Sequence, residues 1–376
     1  MLKGINLTLM IGPAIPVPVP QVVLDALTAI EVTTSSGSTQ SAFKLTFTLS
    51  THSPLHTIFL LGGASPIPII RVILVVTLNG VPDVLIDGVM SRHQVTPGSD
   101  AGHSVLTVYG DDLTALMNYI DFSGLPYPAM PVEARVAVIL SKYLLFGIVP
   151  LIIPSVFPDV PIPVEQIPRQ QGKDYQYLVQ MAQSVGYVFY LETTPVPGVS
   201  IAYWGPLIKV GIPQPALNTN MDAHTNVEQL SFSFDNAAKT LPVLFIKTTL
   251  LKVPIPIPIP DVSLLNPPLG LIPPIPHNIE AVSGIAKLSF AQAALFGLNQ
   301  SAQSSDAVTG NGSLNVLRYG RILKARQLVG VRGVGLAFDG LYYVESVTHS
   351  IKRGEYKQSF NLSRNGLVST VPFVPA

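Results

Sequence analysis

His52 and His56 stand four residues apart, the spacing at which two imidazoles on one helical face can share a zinc ion. Ser53-Pro54 lies between them, and a proline there denies a helix one amide and clashes with the turn before it, so the zinc reading fails on local geometry. Asp111 and Asp112 could be an acid pair, but adjacent side chains diverge, and an aspartate ahead of an apolar run is the ordinary signature of a helix cap. His349 could serve as a base. No nucleophile elbow or strained glycine turn accompanies it, which leaves a hydrogen-bonded or exposed hairpin histidine. Gly330, Gly333 and Gly335 lack phosphate-loop spacing and a following helix, and fit a turn or bulge. Trp204 with Tyr187, Tyr190 and Tyr203 could stack on sugars, as in an adhesin, yet aromatics on half-buried strands are first of all packing residues. Cysteine is absent, which removes thiolate nucleophiles, cysteine-bound metals and disulfides together. No catalytic, metal or cofactor site is expected.

The bulk properties point the same way. The 376 residues are 48% hydrophobic, enough for more than one domain, and only 12% are charged. With 22 basic against 22 acidic side chains there is no net field to draw nucleic acid or an anionic membrane. A mean hydropathy of +0.44 leaves too little polar surface to cover a monomer, so apolar area is expected to end against partners. The N-terminal MLKGINLTLM lacks the long apolar stretch and cleavage site of a secretory signal, which suggests assembly in the cytoplasm. The apolar window from Val136 to Phe157 is interrupted by Lys142, Pro150 and Pro154 before a bilayer-length helix is reached, so stable membrane insertion is not expected. A membrane-associated β protein remains a third reading.

Most of the chain reads as strand. Ala42 to Ser50 alternates Phe43, Leu45, Phe47 and Leu49 with polar neighbours, the period of two that turns one face to a core. Arg71 to Leu78 continues in that style, Asn79-Gly80 closes a tight hairpin into Val84 to Val89, and Ser104 to Tyr109 adds another strand. After Gly110 the period changes: Asp111 or Asp112 can cap a helix carrying Leu113, Leu116 and Met117, and Pro131 can open another over Val132 to Leu144. Lys173 to Val185 is a third helix, with Asp174 as its N-cap candidate and Gly186 as its stop. Strands return over Val227 to Phe234 and Val243 to Leu251. Ala281 to Asn299 is helical in pattern, Ser301 to Ser313 a polar connector, and Leu341 to Ser363 a hairpin turned at Arg353-Gly354 with one apolar face. The proline tracts at 13–20 and 253–276 cannot be central strands. They read as stiff loops or edge segments, or more sharply as docking arms for a neighbour.

A faint echo links the two ends. LTVYGDDL at Leu106 to Leu113 and FNLSRNGL at Phe360 to Leu367 both run from an alternating strand through a turn to a leucine, and Val84 to His93 resembles Leu341 to Ser350 in outline. Chance similarity of hairpins or a duplication would each produce this. The expected class is mainly β with α+β insertions: two related antiparallel β-barrels, over 1–112 and 227–376, around a helix-containing middle region over 113–226, with parts of the barrels free to interleave.

Three stretches carry a resemblance to the contractile-tail hub family, which includes phage late control D proteins, the myophage baseplate hub and the N-terminal part of the type VI secretion spike protein. VTLNGVPDVLIDGV followed by SVLTVYGDDLTALM, with Gly110, Asp111 and Asp112, looks like the end of that family's first barrel. IPRQQGKDYQYLVQMAQSVGYVFYLE is similar to its arginine-glutamine segment, helix and Gly-Tyr strand, here Arg169, Gln170, Gly186 and Tyr187. GLYYVESVTHSIKRGEYKQSFNLSRNGL resembles its closing hairpin, with His349, the Gly354-Glu355-Tyr356 turn and Arg364. The resemblance touches both ends and the middle. It implies a non-enzymatic homotrimer whose duplicated barrels form a pseudo-sixfold ring, joining a sixfold inner tube to a threefold spike in the baseplate of a virion tail or an equivalent injection particle. Partners would be the inner tube protein, a spike trimer, baseplate wedge components and the tape-measure protein. Arg169 and Arg364 would brace barrel or subunit contacts. No oligonucleotide-fold domain or β-helix follows Leu367, so the spike is expected to be a separate protein, and the proline tracts match nothing in the family pattern. The alternative within the same machine is a cell-wall hydrolase or carbohydrate-binding tail protein.

Overall fold

The computed structural model describes residues 4–376 except 14, 51–52, 56–57, 60–68, 99–103, 156–160, 162–166, 237–239, 247–254, 259–265, 277, 282–296, 298–305, 372–373 and 375–376. His52, His56, nearly all of the helical pattern at 281–299, the start of the polar connector and parts of the second proline tract lie outside the described residues.

The first strands are Ile5–Gly12 (β1), Val17–Pro18 (β2), Leu27–Ser35 (β3), Ala42–Leu49 (β4), Arg71–Leu78 (β5), Val81–Pro97 (β6) and Ser104–Asp112 (β7), with helix Gln21–Ala26 (α1) before β3. A middle group follows: a 3-10 helix at Leu113–Asn118, helix Val132–Ser141 (α2), strand Ile148–Ile152 (β8), helix Asp174–Ser184 (α3), and strands Tyr187–Thr193 (β9) and Ser200–Pro206 (β10). Then come Gln214–Asn218 (β11), Val227–Phe234 (β12), Thr240–Ile246 (β13), Ile255–Pro258 (β14), Gly270–Ile272 (β15), Asn278–Ala281 (β16) and Val308–Asn315 (β17). Helix Val316–Tyr319 (α4) precedes Leu328–Arg332 (β18), Gly340–Lys352 (β19), Glu355–Arg364 (β20) and Leu367–Ser369 (β21).

Local chemistry explains these elements. Period-two alternation buries Phe43, Leu45, Phe47 and Leu49 of β4 on one face. Asn79 and Gly80 both take positive φ, 52° and 84°, the pair of conformations that turns β5 into β6 with matching twist. In α3 the residues Tyr177, Leu178, Met181 and Ala182 recur at helical spacing and are buried. The helix after Asp112 is a 3-10 helix of six residues, capped by Asp112 as expected. One expectation needs correction. Asp174 is not the N-cap of α3: Lys173 takes that place without a side-chain bond, and Asp174 sits one residue inside, fully buried, where its carboxylate serves a tertiary network.

One sheet dominates. Its path runs β12-β17-β20-β19-β3-β4-β7-β6 and continues from the first half of β6 to β5, β1 and β2, while β18 and β11 branch from β19. In a first block β3 pairs with β4, β4 with β7, β7 with β6, β6 with β5 and β5 with β1. In a second, β12 pairs with β17, β17 with β20, β20 with β19, β19 with β18 and β18 with β11. Both runs take their strands in the same chain order, so the second block repeats the first strand for strand. The bulges recur too: the register shift at Leu27/Ala29 in β3 returns at Val227/Gln229 in β12, and that at Met90/Arg92 in β6 returns at Val344/Ser346 in β19. One ladder departs, since β1–β5 is antiparallel and β11–β18 parallel. The blocks join edge to edge where Ala29–Ser35 of β3 runs antiparallel to Ser346–Lys352 of β19.

A single hydrophobic core spans both blocks and includes Phe43, Phe47, Val347 and Phe360. The middle group has its own core around Met117, Val136, Ile139, Leu178, Phe189 and Trp204. Where the two proline tracts are described, they sit at sheet margins: Val17–Pro18 pairs with the end of β1, and the Ile-Pro alternation of β14 pairs with β13. Period two suits this, because isoleucine amides can serve a ladder while prolines take the alternate positions. Among the described residues no helix is long and apolar enough to cross a membrane.

Candidate functional site: the seam and its buried braces

The seam between the blocks is the natural focus, since it joins strands more than 300 residues apart. Thr33 and Thr348 face each other across it with hydroxyls 3.0 Å apart. Ser36 donates its amide to the Glu345 carbonyl at 2.6 Å and its hydroxyl to the Glu345 carboxylate. Ser363 of β20 donates to the same carboxylate at 2.7 Å. Glu345 is the bulged residue of β19, so the extra residue turns a carboxylate toward the neighbouring strands.

His349 lies opposite Val32 at the seam, 4% exposed, with Nδ1 2.8 Å from the Tyr356 hydroxyl. Gln358 holds the Leu323 amide and carbonyl at 2.9 and 2.8 Å and approaches the same ring nitrogen. Burial, reinforced by the Lys324 ammonium, pushes the imidazole pKa down to about 3. Such a ring stays neutral and is a poor proton acceptor, so His349 is a packing and hydrogen-bonding residue.

The other family-matched positions are braces at separate places. Asp112 is buried and caps the 3-10 helix, accepting from the Thr114 amide at 3.0 Å, from the Thr114 hydroxyl and from the Ser41 amide at 2.8 Å. Burial raises its pKa, against the hydrogen bonds, which lower it. Asp111 points the other way, partly exposed, so the two carboxylates diverge as expected. Gly110 lies under Phe43, where a Cβ would overlap the ring and the Val89 carbonyl. Gln170 is buried, accepts from Tyr127 Oη at 2.7 Å and donates to Asp174 at 2.6 Å, while Tyr143 and Lys142 reach the second Asp174 oxygen at 2.7 and 2.5 Å. Arg169 beside it is exposed and bonds the Gly124 carbonyl at 3.2 Å. Gly186 ends α3 with φ of 75°, and Tyr187 meets Trp204 edge to face at 5.0 Å. Gly354 turns β19 into β20 with φ of 83°, and Tyr356 is wholly buried. Arg364 is also wholly buried; it donates to the carbonyls of Gly366, Asp339 and Ala337 at 2.7, 3.0 and 2.7 Å beneath the Tyr342 ring.

Besides His349 with Tyr356, Asp112 and His349 are brought to one place, lining with Arg326 a cavity of about 80 Å³ where both blocks meet the middle group. The aromatic platform does not exist as a surface: Trp204 is fully buried, and Tyr190 stacks on Tyr203 at 4.9 Å beneath Arg326. Among the described residues no cluster of histidine and carboxylate could hold a metal ion.

The most deeply buried ion pair among the described residues escaped the sequence reading. Arg71 and Asp87, 4% and 2% exposed, form a two-pronged ion pair at 2.7 and 2.6 Å, and Arg71 also reaches the Gly198 carbonyl at 3.1 Å. A signal existed. The Asn79-Gly80 turn sets the register of β5 on β6 to within a residue, which places these two charges diagonally across an otherwise apolar hairpin.

No family model matches the chain, and no curated protein matches it by sequence. Solved structures do. A tail protein from Neisseria meningitidis superposes with a TM-score of 0.63 at 14% identity, over 97% of this chain and 98% of that one. The 43 kDa tail protein of prophage MuSo2 from Shewanella oneidensis gives 0.58 at 14% identity, over 96% and 98%. The E. coli c3393 protein, described as a type VI secretion component with structural similarity to the phage T4 tail proteins gp27 and gp5, gives 0.54 at 13% identity, over 93% and 76%. The chain is thus a mainly β protein with the tail-protein fold. The likeness is one of fold, shared with phage-type tail proteins and a type VI secretion component, the kinds of protein the three sequence stretches led us to expect.

Proposed function

We propose that this chain is a structural hub of a contractile phage tail or related injection particle, assembling as a homotrimer in the host cytoplasm and residing in the baseplate. One observation carries the reading: a single chain holds the same order of five strand pairings twice, four of the five in the same sense, with the two copies fused through β3 and β19. A closed ring of such chains has twice as many near-equivalent units as molecules. Three molecules then present six similar sites to an inner tube protein on one side while keeping threefold symmetry for a separate spike trimer on the other. Wedge components and the tape-measure protein would bind around this ring. The work is mechanical, transmitting axial load through broad β interfaces, and it asks for rigid buried braces such as Arg71–Asp87, Gln170–Asp174 and Arg364 rather than reactive groups.

Native mass measurement of the purified chain, alone and mixed with the products of neighbouring genes, tests this. A trimer that binds a spike trimer is expected. A stable monomer that cleaves glycan would overturn the reading.

A further inference from the structure

Lys209 differs from the other lysines that form ion pairs among the described residues. Its side chain is 3% exposed, whereas theirs keep 33–50% in solvent. It lies in the connector from β10 to β11, over the face of the Tyr343 ring at 5.2 Å. That ring packs with Leu269 and Leu328, and Leu207 and Leu341 close the same apolar cluster. The Lys209 ammonium donates to Oδ2 of Asp306, 97 residues further on, at the end of the long connection that leads into β17. The Asp306 side chain is itself mostly buried, 17% exposed. A second carboxylate stands behind the first. The Ser363 hydroxyl lies 3.1 Å from the same Asp306 oxygen and 2.7 Å from Glu345, and the Ser36 hydroxyl holds the other Glu345 oxygen. One hydroxyl carries one proton, so Ser363 can serve only one carboxylate at a time and can pass a proton between them.

We propose that Lys209 and Asp306 condense to an amide, an isopeptide bond formed by the folded chain itself, with Ser363 and Glu345 as its proton relay. The Lys209 ammonium gives up a proton and its Nζ attacks Cγ of Asp306. The Nζ–Cγ bond forms and one Cγ–Oδ bond breaks. The oxygen leaves as water with two of the three ammonium protons, and the third stays on the amide nitrogen. The step consumes no oxidant, reductant or cofactor.

Two effects favour the bond at this place. Groups held in contact by a fold react as if at an effective concentration of about 10⁵–10⁸ M. Condensation also removes two charges whose withdrawal from water is costly. Neither effect reaches the other pairs equally. The Arg71 guanidinium stays protonated and is no nucleophile, and the more exposed lysines keep their charge in water. The amide would close a loop of chain that contains β11 to β16. Tension between the middle group and β17 would then pass through the cross-link and bypass those strands. That suits a load-bearing particle, but the inference does not rest on the hub reading.

The full chain, purified and then denatured, is analysed by intact mass spectrometry and by tryptic mapping. A mass lower than that of the sequence by one water is expected, with no cleavage after Lys209 and a branched peptide that joins Lys209 to Asp306. Lys209→Arg keeps the charge but not the nucleophile, and should carry the full sequence mass. Glu345→Gln and Ser363→Ala should keep the wild-type circular dichroism and condense about 100-fold or more slowly, so that the freshly purified chains retain the water. Condensation of both at the wild-type rate would remove these two residues from the proposal. A wild-type chain at its full sequence mass would overturn the bond and leave an ion pair only, and so would a water lost equally from Lys209→Arg. Either result leaves the hub reading, which the native oligomer decides, where it stands.

Discussion

The two strand blocks share one series of ladders and fill it with different residues. In the first block the central strand β4 carries the bulk, Phe43 and Phe47, and its neighbour β7 makes room with Gly110, where a Cβ would overlap the Phe43 ring. In the second block the counterpart β17 carries Gly310 and Gly312, and the rings come from its neighbours: a Cβ on Gly310 would sit 2.5 Å from Phe232 of β12, and one on Gly312 would sit 2.8 Å from Phe360 of β20. Large and small have changed places across adjacent strands, and in each block a glycine leaves the room that a neighbouring ring fills. Their buried arginines differ in the same spirit. Arg71 is paired with a carboxylate, whereas Arg364 donates to three backbone carbonyls. Complementarity of packing, and not residue identity, is what the two blocks hold in common.

The arginines offer the strongest break in this comparison. Arg71→Met leaves Asp87 buried without its partner, and loss of one member of such a pair costs about 3–5 kcal/mol. Adding Asp87→Leu should restore most of that. Arg364→Met has no single partner to remove in compensation, and its loss should cost about 1–3 kcal/mol from under-satisfied carbonyls that no second substitution recovers. Urea unfolding of the three variants checks this; a double variant no more stable than Arg71→Met alone would contradict it.

The exchange of large and small can be probed next. Gly110→Ala and Gly310→Ala should each destabilise by about 1–3 kcal/mol through overpacking. Phe232→Leu should rescue Gly310→Ala nearly fully, because Phe232 atoms are the nearest obstacles there. Phe43→Leu should rescue Gly110→Ala only in part, because the Val89 carbonyl also stands in the way. Denaturant midpoints of the single and double variants decide between these outcomes.

A smaller contrast concerns acid. His349 has Val95 as its first-block counterpart, so one block titrates at this position and the other does not. Folding holds the imidazole neutral down to about pH 3, whereas an unfolded histidine takes up its proton near 6.5. Between those values the unfolded chain binds the extra proton. The contribution is therefore fully present above pH 6.5 and is lost progressively as pH falls toward 3. His349→Val should flatten the difference in urea midpoint between pH 7 and pH 4.5 relative to the wild type; an unchanged slope would mean that other groups carry it.

Much of the block interior was legible in the sequence because it is local. Alternation located β4 and β5, the Asn-Gly pair located their hairpin partner β6, and helical spacing located α3 to within a residue at each end. The echo between Leu106–Leu113 and Phe360–Leu367 pointed at β7 and β20, which are counterparts by strand order. What could not be read was the seam. Nothing in period-two patterns says that β3 should choose β19, because every half-buried strand offers the same backbone groups, and the choice is made by which edges remain open once the local hairpins have formed. Arg326 was missed for a similar reason: its surroundings, Tyr190, Leu191 and Asp112, come from distant parts of the chain.

The smallest expected effect separates backbone from packing. Gly80 in the first block and Gly354 in the second both turn hairpins at positive φ, 84° and 83°, and both would place a Cβ in open space. A substitution at either site meets no neighbour, so any cost is conformational. Alanine in the left-handed region loses about 1–2 kcal/mol, offset by about 0.4–1 kcal/mol because the unfolded chain has fewer states to lose. Gly80→Ala and Gly354→Ala should therefore each lower stability by roughly 1 kcal/mol or less, and by the same amount, although everything around the two turns differs. Asparagine, which tolerates this conformation, should cost less at both. Unequal penalties in parallel urea titrations would mean that one of the turns is held by its neighbours.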